Sequence, residues 1–83
     1  MKITNAIKKL ERAGFKVTET EYSFVAEKAG CRLIEFHRNG GGSESVVCIR
    51  TRRKTDKDDS MTDYCAGVFH KNITQAIESA PID

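Results

Sequence analysis

Two histidines and three cysteines are the side chains best able to do acid–base, nucleophilic or metal chemistry in this sequence. They are His37, His70, Cys31, Cys48 and Cys65. A nucleophile needs a positioned base, and a structural zinc site needs about four converging ligands, usually including a closely spaced pair. No such pair occurs in the sequence. We therefore predict no catalytic residue, no metal ligand and no cofactor, and we interpret the chain as not an enzyme.

The cysteines also bear on the cellular compartment. An odd number of cysteines without a Cys-x-x-Cys pair is not typical of a secreted disulfide framework. We predict three reduced thiols that pack as small apolar side chains. The sequence has no apolar run of about 18 residues and no signal-type stretch after Met1. We therefore expect a cytoplasmic protein that does not bind a membrane.

Two segments resemble ligand-binding loops in composition but lack the residues that such loops need. Residues 56–63 contain four aspartates, yet they lack the glycine and the glutamate that complete an EF-hand. Residues 39–43 read Asn-Gly-Gly-Gly-Ser, without the Lys-Ser/Thr ending and following helix of a phosphate-binding loop. We interpret the first segment as an exposed acidic loop and the second as a hairpin turn.

The run Arg-Thr-Arg-Arg-Lys is the one patch with binding potential. In a strand, Arg50, Arg52 and Lys54 share a face at steps of about 7 Å, near the spacing of nucleic-acid phosphates. Arg53 points to the other side. The row could bind nucleic acid or an acidic protein. Alternatively, it is a charged edge strand that discourages aggregation and pairs with Glu35 or with the acidic loop.

The elements that would position these residues begin with a helix at each end of the chain. Apolar residues recur there at three- and four-residue spacing. The first helix ends at Gly14. The second follows Asn72, with Gln75 placed as in a capping box, and ends before Pro81. The apolar stripes are Ile3, Ala6, Ile7, Leu10 and Ala13 in the first helix and Ile73, Ala76, Ile77 and Ala80 in the second.

Extended segments fill the chain between the helices. Alternating apolar residues and β-branched residues predict strands there. The segments are 15–19 with 22–27, then 31–38, 44–53 and 63–69. The glycine loop makes 31–38 and 44–53 a hairpin.

The fold class that follows is α+β, as a single domain over residues 1–83. We predict a two-layer sandwich in which an antiparallel meander of three or four strands carries both helices on one face, in the order α-β-β-β(-β)-α. The other face of the sheet would then be open to solvent. The predicted core is Ile7, Leu10, Phe24, Ile34, Phe36, Ile49 and Ile77.

The open face is the predicted site of partner binding. Its candidate residues are Leu33, Glu35, His37, Arg50, Arg52, Arg53 and Lys54. We interpret the chain as a small non-enzymatic accessory protein, encoded by a phage or mobile element, that binds a host macromolecule. A protein partner is favoured over nucleic acid because the net charge is only +2 and the acidic loop would repel phosphates. The alternative is a nucleic-acid-binding module that uses the Arg50–Lys54 strand; the oligomeric state stays open.

Three resemblances accompany these patterns. The order of elements resembles the double-stranded RNA-binding domain, but residues 70–75 contain one lysine where that family has a cluster. Residues 7–15 resemble the start of HicA-type messenger-RNA-cleaving toxins, whose catalytic histidine has no counterpart in residues 20–28. Residues 47–75 are similar to small uncharacterised proteins of tailed phages and prophages. This last resemblance implies a genomic context and assigns no residue a role.

Overall fold

The fold is an antiparallel sheet with one helix before it and one after it. A computed structural model describes residues 2–20, 23–38, 45–53 and 68–82. The elements are α1 (Ile3–Arg12), β1 (Lys16–Glu19), β2 (Phe24–Glu27), β3 (Leu33–Arg38), β4 (Val46–Arg52), β5 (Val68–Phe69) and α2 (Ile73–Ser79). The predicted α+β class and its terminal helices are confirmed. The predicted glycine turn and acidic loop lie outside the described residues.

The sheet has five strands, in the order β1-β2-β3-β4-β5, rather than the predicted three or four. Residues 15–27 divide into two strands because Thr20 closes a turn with Ser23. The Thr20 amide donates to the Ser23 carbonyl at 2.7 Å, and the Thr20 hydroxyl accepts from the Ser23 amide at 3.0 Å. Every neighbouring pair of strands is antiparallel.

The end of α1 is held by a lysine from the turn after β2. Gly14 has φ +93°, which an L side chain rarely adopts. The Lys28 ammonium donates to the Ala13 carbonyl at 2.8 Å and lies 5.7 Å from the centre of the Phe15 ring. These contacts join the end of α1 to the sheet.

The start of α2 uses the predicted cap with one difference. The Asn72 side chain accepts from the Gln75 amide at 2.9 Å, as predicted. The Gln75 side chain accepts from the Lys71 amide at 3.1 Å, one residue before the position that a capping box serves. At the other end of α2, the Arg32 amide donates to the Ala80 carbonyl at 2.7 Å. This bond attaches α2 to the sheet beside β3.

One core lies between the sheet and both helices. Its buried members are Ile3, Ala6, Leu10, Phe15, Phe24, Ala26, Cys31, Ile34, Phe36, Ile49, Ile73, Ala76 and Ala80. The rings of Phe24 and Phe36 stack at 5.2 Å between centroids. The predicted core is confirmed except at Ile7 and Ile77, which are partly buried and pack against its margin.

A β-bulge in β4 decides which way its side chains point. Glu35 pairs with Arg50, whereas His37 pairs with Val47, so two residues of β4 lie opposite Phe36. The extra residue is Cys48, with φ +55°. It is exposed, so the prediction that all the cysteines pack as small apolar side chains is wrong at this position. Cys31 is buried as predicted.

Neither described helix has the length and apolar character needed to cross a membrane. The longer of the two is α1, with ten residues.

Candidate functional site

The face of the sheet opposite α1 and α2, hereafter the helix-free face, carries one row of side chains from edge to edge. Cross-strand pairing places Thr18, Val25, Glu35, Arg50 and Phe69 side by side, one from each strand. The bulge accommodates the extra residue Cys48 without disturbing this row, so Ile49 faces the core and Arg50 lies on the helix-free face. The row therefore contains a hydroxyl, an aliphatic side chain and two adjacent charged side chains, and it ends on an aromatic ring.

Glu35 and two arginines form an ion triad at the centre of this face. The Arg50 Nε donates to Glu35 Oε1 at 2.7 Å, and an Arg50 terminal nitrogen lies 2.5 Å from the same oxygen. An Arg52 terminal nitrogen lies 3.7 Å from the other carboxylate oxygen. The side chains of Glu35, Arg50 and Arg52 are only 10%, 14% and 7% exposed. Low exposure strengthens their attraction and makes the loss of one member costly.

The triad bears on the two interpretations of the arginine strand. Arg50 and Arg52 do lie on one face, as predicted, but both guanidinium groups contact Glu35. A phosphate at this position would compete with a largely buried carboxylate for both guanidinium groups. The geometry therefore favours the alternative in which these arginines pair with Glu35. Arg53 is exposed, and Lys54 lies outside the described residues.

The centre of the helix-free face is less open than the sequence predicted. Glu35 and Arg52 are buried, while Leu33 and His37 are half-buried. Leu33 lies opposite Arg52, and His37 lies opposite Val47. The physical reason is the attraction of both guanidinium groups to Glu35, which draws charged side chains together over the strands. We expected the centre of this face to be exposed, but salt-bridged side chains cover it instead.

The exposed apolar part of this surface lies in β5, which sequence reasoning treated only as a last strand. Phe69 lies beside Arg50 on the helix-free face and is 58% exposed. Val68 lies beside Thr51, on the other face of this edge, and is 61% exposed. A two-residue strand is too short to show the alternation that would have marked these side chains. The sequence marked Val68 and Phe69 only as two apolar residues that follow the predicted acidic loop.

The backbone N–H and C=O groups of Phe69 also point away from the neighbouring strand β4. The His70 amide donates to the Ile49 carbonyl of β4 at 2.8 Å. Because successive residues of an antiparallel strand alternate between facing the partner strand and facing away, Phe69 directs its N–H and C=O outward. β5 is the last strand of the sheet in the described part of the chain, so these groups lie at an edge.

The histidines and cysteines are not brought together in the described residues. His70 Nε2 lies 3.0 Å from the hydroxyl of Thr51, a buried residue of β4, and this contact ties β4 to the residue after β5. Across the described ranges, no three His, Cys, Asp or Glu side chains form a group that could hold a metal ion. Cys65 lies outside those ranges.

Comparison with protein-family models, with curated proteins and with solved structures gives no match.

Proposed function

We propose that this chain is a small non-enzymatic accessory protein that binds a protein partner at the β5 end of its helix-free face. The observation that carries the proposal is Phe69, which lies beside Arg50 on the helix-free face and is 58% exposed. A buried aromatic ring can contribute a large share of the energy of an interface. Phe69 would be the apolar anchor, and the Glu35 triad beside it would form the polar border.

The ion triad supports a protein over a nucleic acid at this face. Nucleic-acid binding by Arg50 and Arg52 would leave the Glu35 carboxylate without its cations in a largely buried position. Removing one partner from such a group costs about 3–5 kcal/mol. A protein that covers Phe69 has no need to disturb the triad.

The two edges of the sheet support an extended partner segment that pairs with β5. At the β1 edge, Lys16 and Glu19 are exposed, and charged residues on an edge strand discourage pairing with other chains. At the β5 edge, the outward N–H and C=O of Phe69 lie beside exposed apolar side chains. An added strand can satisfy such groups while its own side chains contact the apolar surface.

The resemblance of residues 47–75 to small proteins of tailed phages and prophages supports a partner that belongs to a host cell. Such a partner would be a component of a host complex that the accessory protein binds stoichiometrically. This part of the proposal rests on the resemblance alone.

The test is affinity capture from nuclease-treated host lysate, followed by titration of the captured protein in purified form. The Phe69→Ser variant should weaken the purified complex at least tenfold, which corresponds to about 1.4 kcal/mol. The matched control is Ile82→Ser, because Ile82 is 50% exposed and lies beside Gly30, in the turn between β2 and β3. Equal affinity of the Phe69→Ser variant and the wild type would contradict the proposal.

A further inference from the structure

The charge of this chain is unevenly distributed between α1 and the rest of the molecule. Residues 1–16 contain five basic residues and one acidic residue, a net charge of +4, whereas the other 67 residues contain nine basic and eleven acidic residues, a net charge of −2. The small net charge of the whole chain therefore conceals a basic segment. The structure places most of this segment on α1, in the layer opposite the helix-free face.

The outward side of α1 carries the exposed part of this charge. Ile3, Ala6 and Leu10 are buried against the sheet, so the opposite side of the helix faces solvent. The exposed residues of α1 are Thr4, Asn5, Lys8, Glu11 and Arg12. The basic and neutral ones, Thr4, Asn5, Lys8 and Arg12, are hereafter the α1 basic stripe, and Glu11 is an exposed acidic residue at its margin, three residues after Lys8. Lys8 and Arg12 are four residues apart, which places them about 6 Å apart along the helix axis.

The cations of the stripe differ from Arg38, Arg50 and Arg52, which form ion pairs with described carboxylates. Arg38 contacts Glu19 at 3.8 Å, Arg50 contacts Glu35, and Lys28 contacts the Ala13 carbonyl. Lys8 and Arg12 make no ion pair with any described residue. Lys9, next to Lys8, donates to the hydroxyl of Thr74 on α2 and thereby fixes the orientation of α1 against α2.

We propose that the α1 basic stripe binds the phosphodiester backbone of a nucleic acid without reading its sequence. Phosphate contacts need only cations and hydrogen-bond donors, and Lys8, Arg12 and Asn5 provide both. A protein interface concentrates its energy in apolar or aromatic anchors, and the stripe has none. The absence of such an anchor favours nucleic acid over an acidic protein as the ligand.

This site is separate from the protein-binding surface proposed above and does not depend on it. The stripe lies on the helix layer, whereas Phe69 lies at the far edge of the sheet on the opposite face. A partner protein and a nucleic acid could therefore be bound at the same time. The Phe69→Ser variant should bind nucleic acid like the wild type.

The test is fluorescence anisotropy with labelled duplex DNA, duplex RNA and single-stranded DNA, each of about 20 nucleotides per strand, across about 50–200 mM salt. Binding should be weak near physiological salt, with a dissociation constant on the order of 10⁻⁴–10⁻⁶ M. Replacing Lys8 and Arg12 by glutamine should weaken binding at least tenfold at low salt. The slope of log affinity against log salt should become less steep by about 1.4–1.8.

The matched control removes two positive charges elsewhere, at Arg38 and Arg53, both exposed and both outside the helices. It should reduce binding much less, because net charge alone does not create the site. An equal loss in the control would overturn the proposal. So would unchanged binding in the Lys8→Gln and Arg12→Gln variant, or a preference for anionic vesicles with no binding to any of the nucleic acids. Thermal unfolding should show that every variant is folded at the temperature of the binding assay.

Discussion

Glu35 is the residue on which the helix-free face depends. Its carboxylate contacts both Arg50 and Arg52, and all three side chains are largely shielded from water. A buried charge that loses its partner is strongly unfavourable, although a complete ion group is not necessarily more stabilising than an apolar one. The consequence for stability therefore lies in the loss of one member, which would leave a buried charge without its partner.

Removing Glu35 should therefore destabilise the fold. We expect Glu35→Ala to lower the free energy of unfolding by about 3–5 kcal/mol, measured by urea denaturation. Glu19→Ala is the matched control, since Glu19 contacts Arg38 in an exposed pair with side chains 64% and 56% exposed. Such pairs contribute at most about 1 kcal/mol. Similar losses in the two variants would show that the triad is no more important than a surface pair.

The sequence predicted the triad only as one of two alternatives. Alternation placed Glu35, Arg50 and Arg52 on strands, but it could not show that their pairing leaves them almost without contact with solvent. That outcome depends on the register between β3 and β4, and a bulge shifts this register. Neither the bulge nor the exposed Phe69 has a reliable signal in a single sequence.

At the scale of elements, the end of α1 and the start of α2 followed from local residues and were predicted. Gly14 ends α1 and Asn72 caps α2, because both effects depend on a few neighbouring atoms. The number of strands was underestimated, since the turn between Thr20 and Ser23 uses a hydroxyl contact with no glycine or proline to mark it. Features that depend on neighbouring residues could be predicted from the sequence, whereas the pairing of distant segments could not.

The contact between Lys28 and the end of α1 gives a prediction at this scale. Gly14 and Gly30 both have positive φ, so alanine at either position adds backbone strain of about 1–2 kcal/mol. A Cβ at Gly14 would also lie 3.2 Å from Lys28 Cε, whereas a Cβ at Gly30 would meet nothing within 4 Å. We expect Gly14→Ala to be more destabilising than Gly30→Ala by about 0.5–1.5 kcal/mol.

Urea denaturation of both variants would check this difference, and Lys28→Met serves as a further variant. In the Lys28→Met background, which lacks the lysine ammonium, the difference in free energy of unfolding between Gly14→Ala and Gly30→Ala should be smaller. A difference that persists in the Lys28→Met background would mean that the ammonium contact with the Ala13 carbonyl does not account for it.

At the scale of the whole molecule, 83 residues support one small core. A chain of this length buries only about 60–65% of the surface that it exposes when unfolded. Each large core side chain therefore accounts for a considerable part of the stability. Phe36 is fully buried, stacks on Phe24 and lies opposite the bulge.

We expect Phe36→Ala to lower the free energy of unfolding by about 3–5 kcal/mol, a large fraction of the 5–15 kcal/mol typical of a domain. The measurement is the thermal midpoint together with urea denaturation. Ile82→Ala is the control, because Ile82 is half-exposed and should change stability by no more than about 0.5 kcal/mol. An unchanged midpoint for Phe36→Ala would contradict the assignment of this strand face to the core.

The bulge at Cys48 also affects how homologous sequences should align with this one. Without Cys48, β4 would alternate regularly, with Val46, Ile49 and Thr51 still toward the helices and Arg50 and Arg52 still toward Glu35. Deletion of Arg50 or Thr51 from the chain would instead move the neighbouring side chains to the wrong face of the sheet. Single-residue gaps in this strand should therefore be confined to position 48, and a homologue that carries one would keep both surfaces intact.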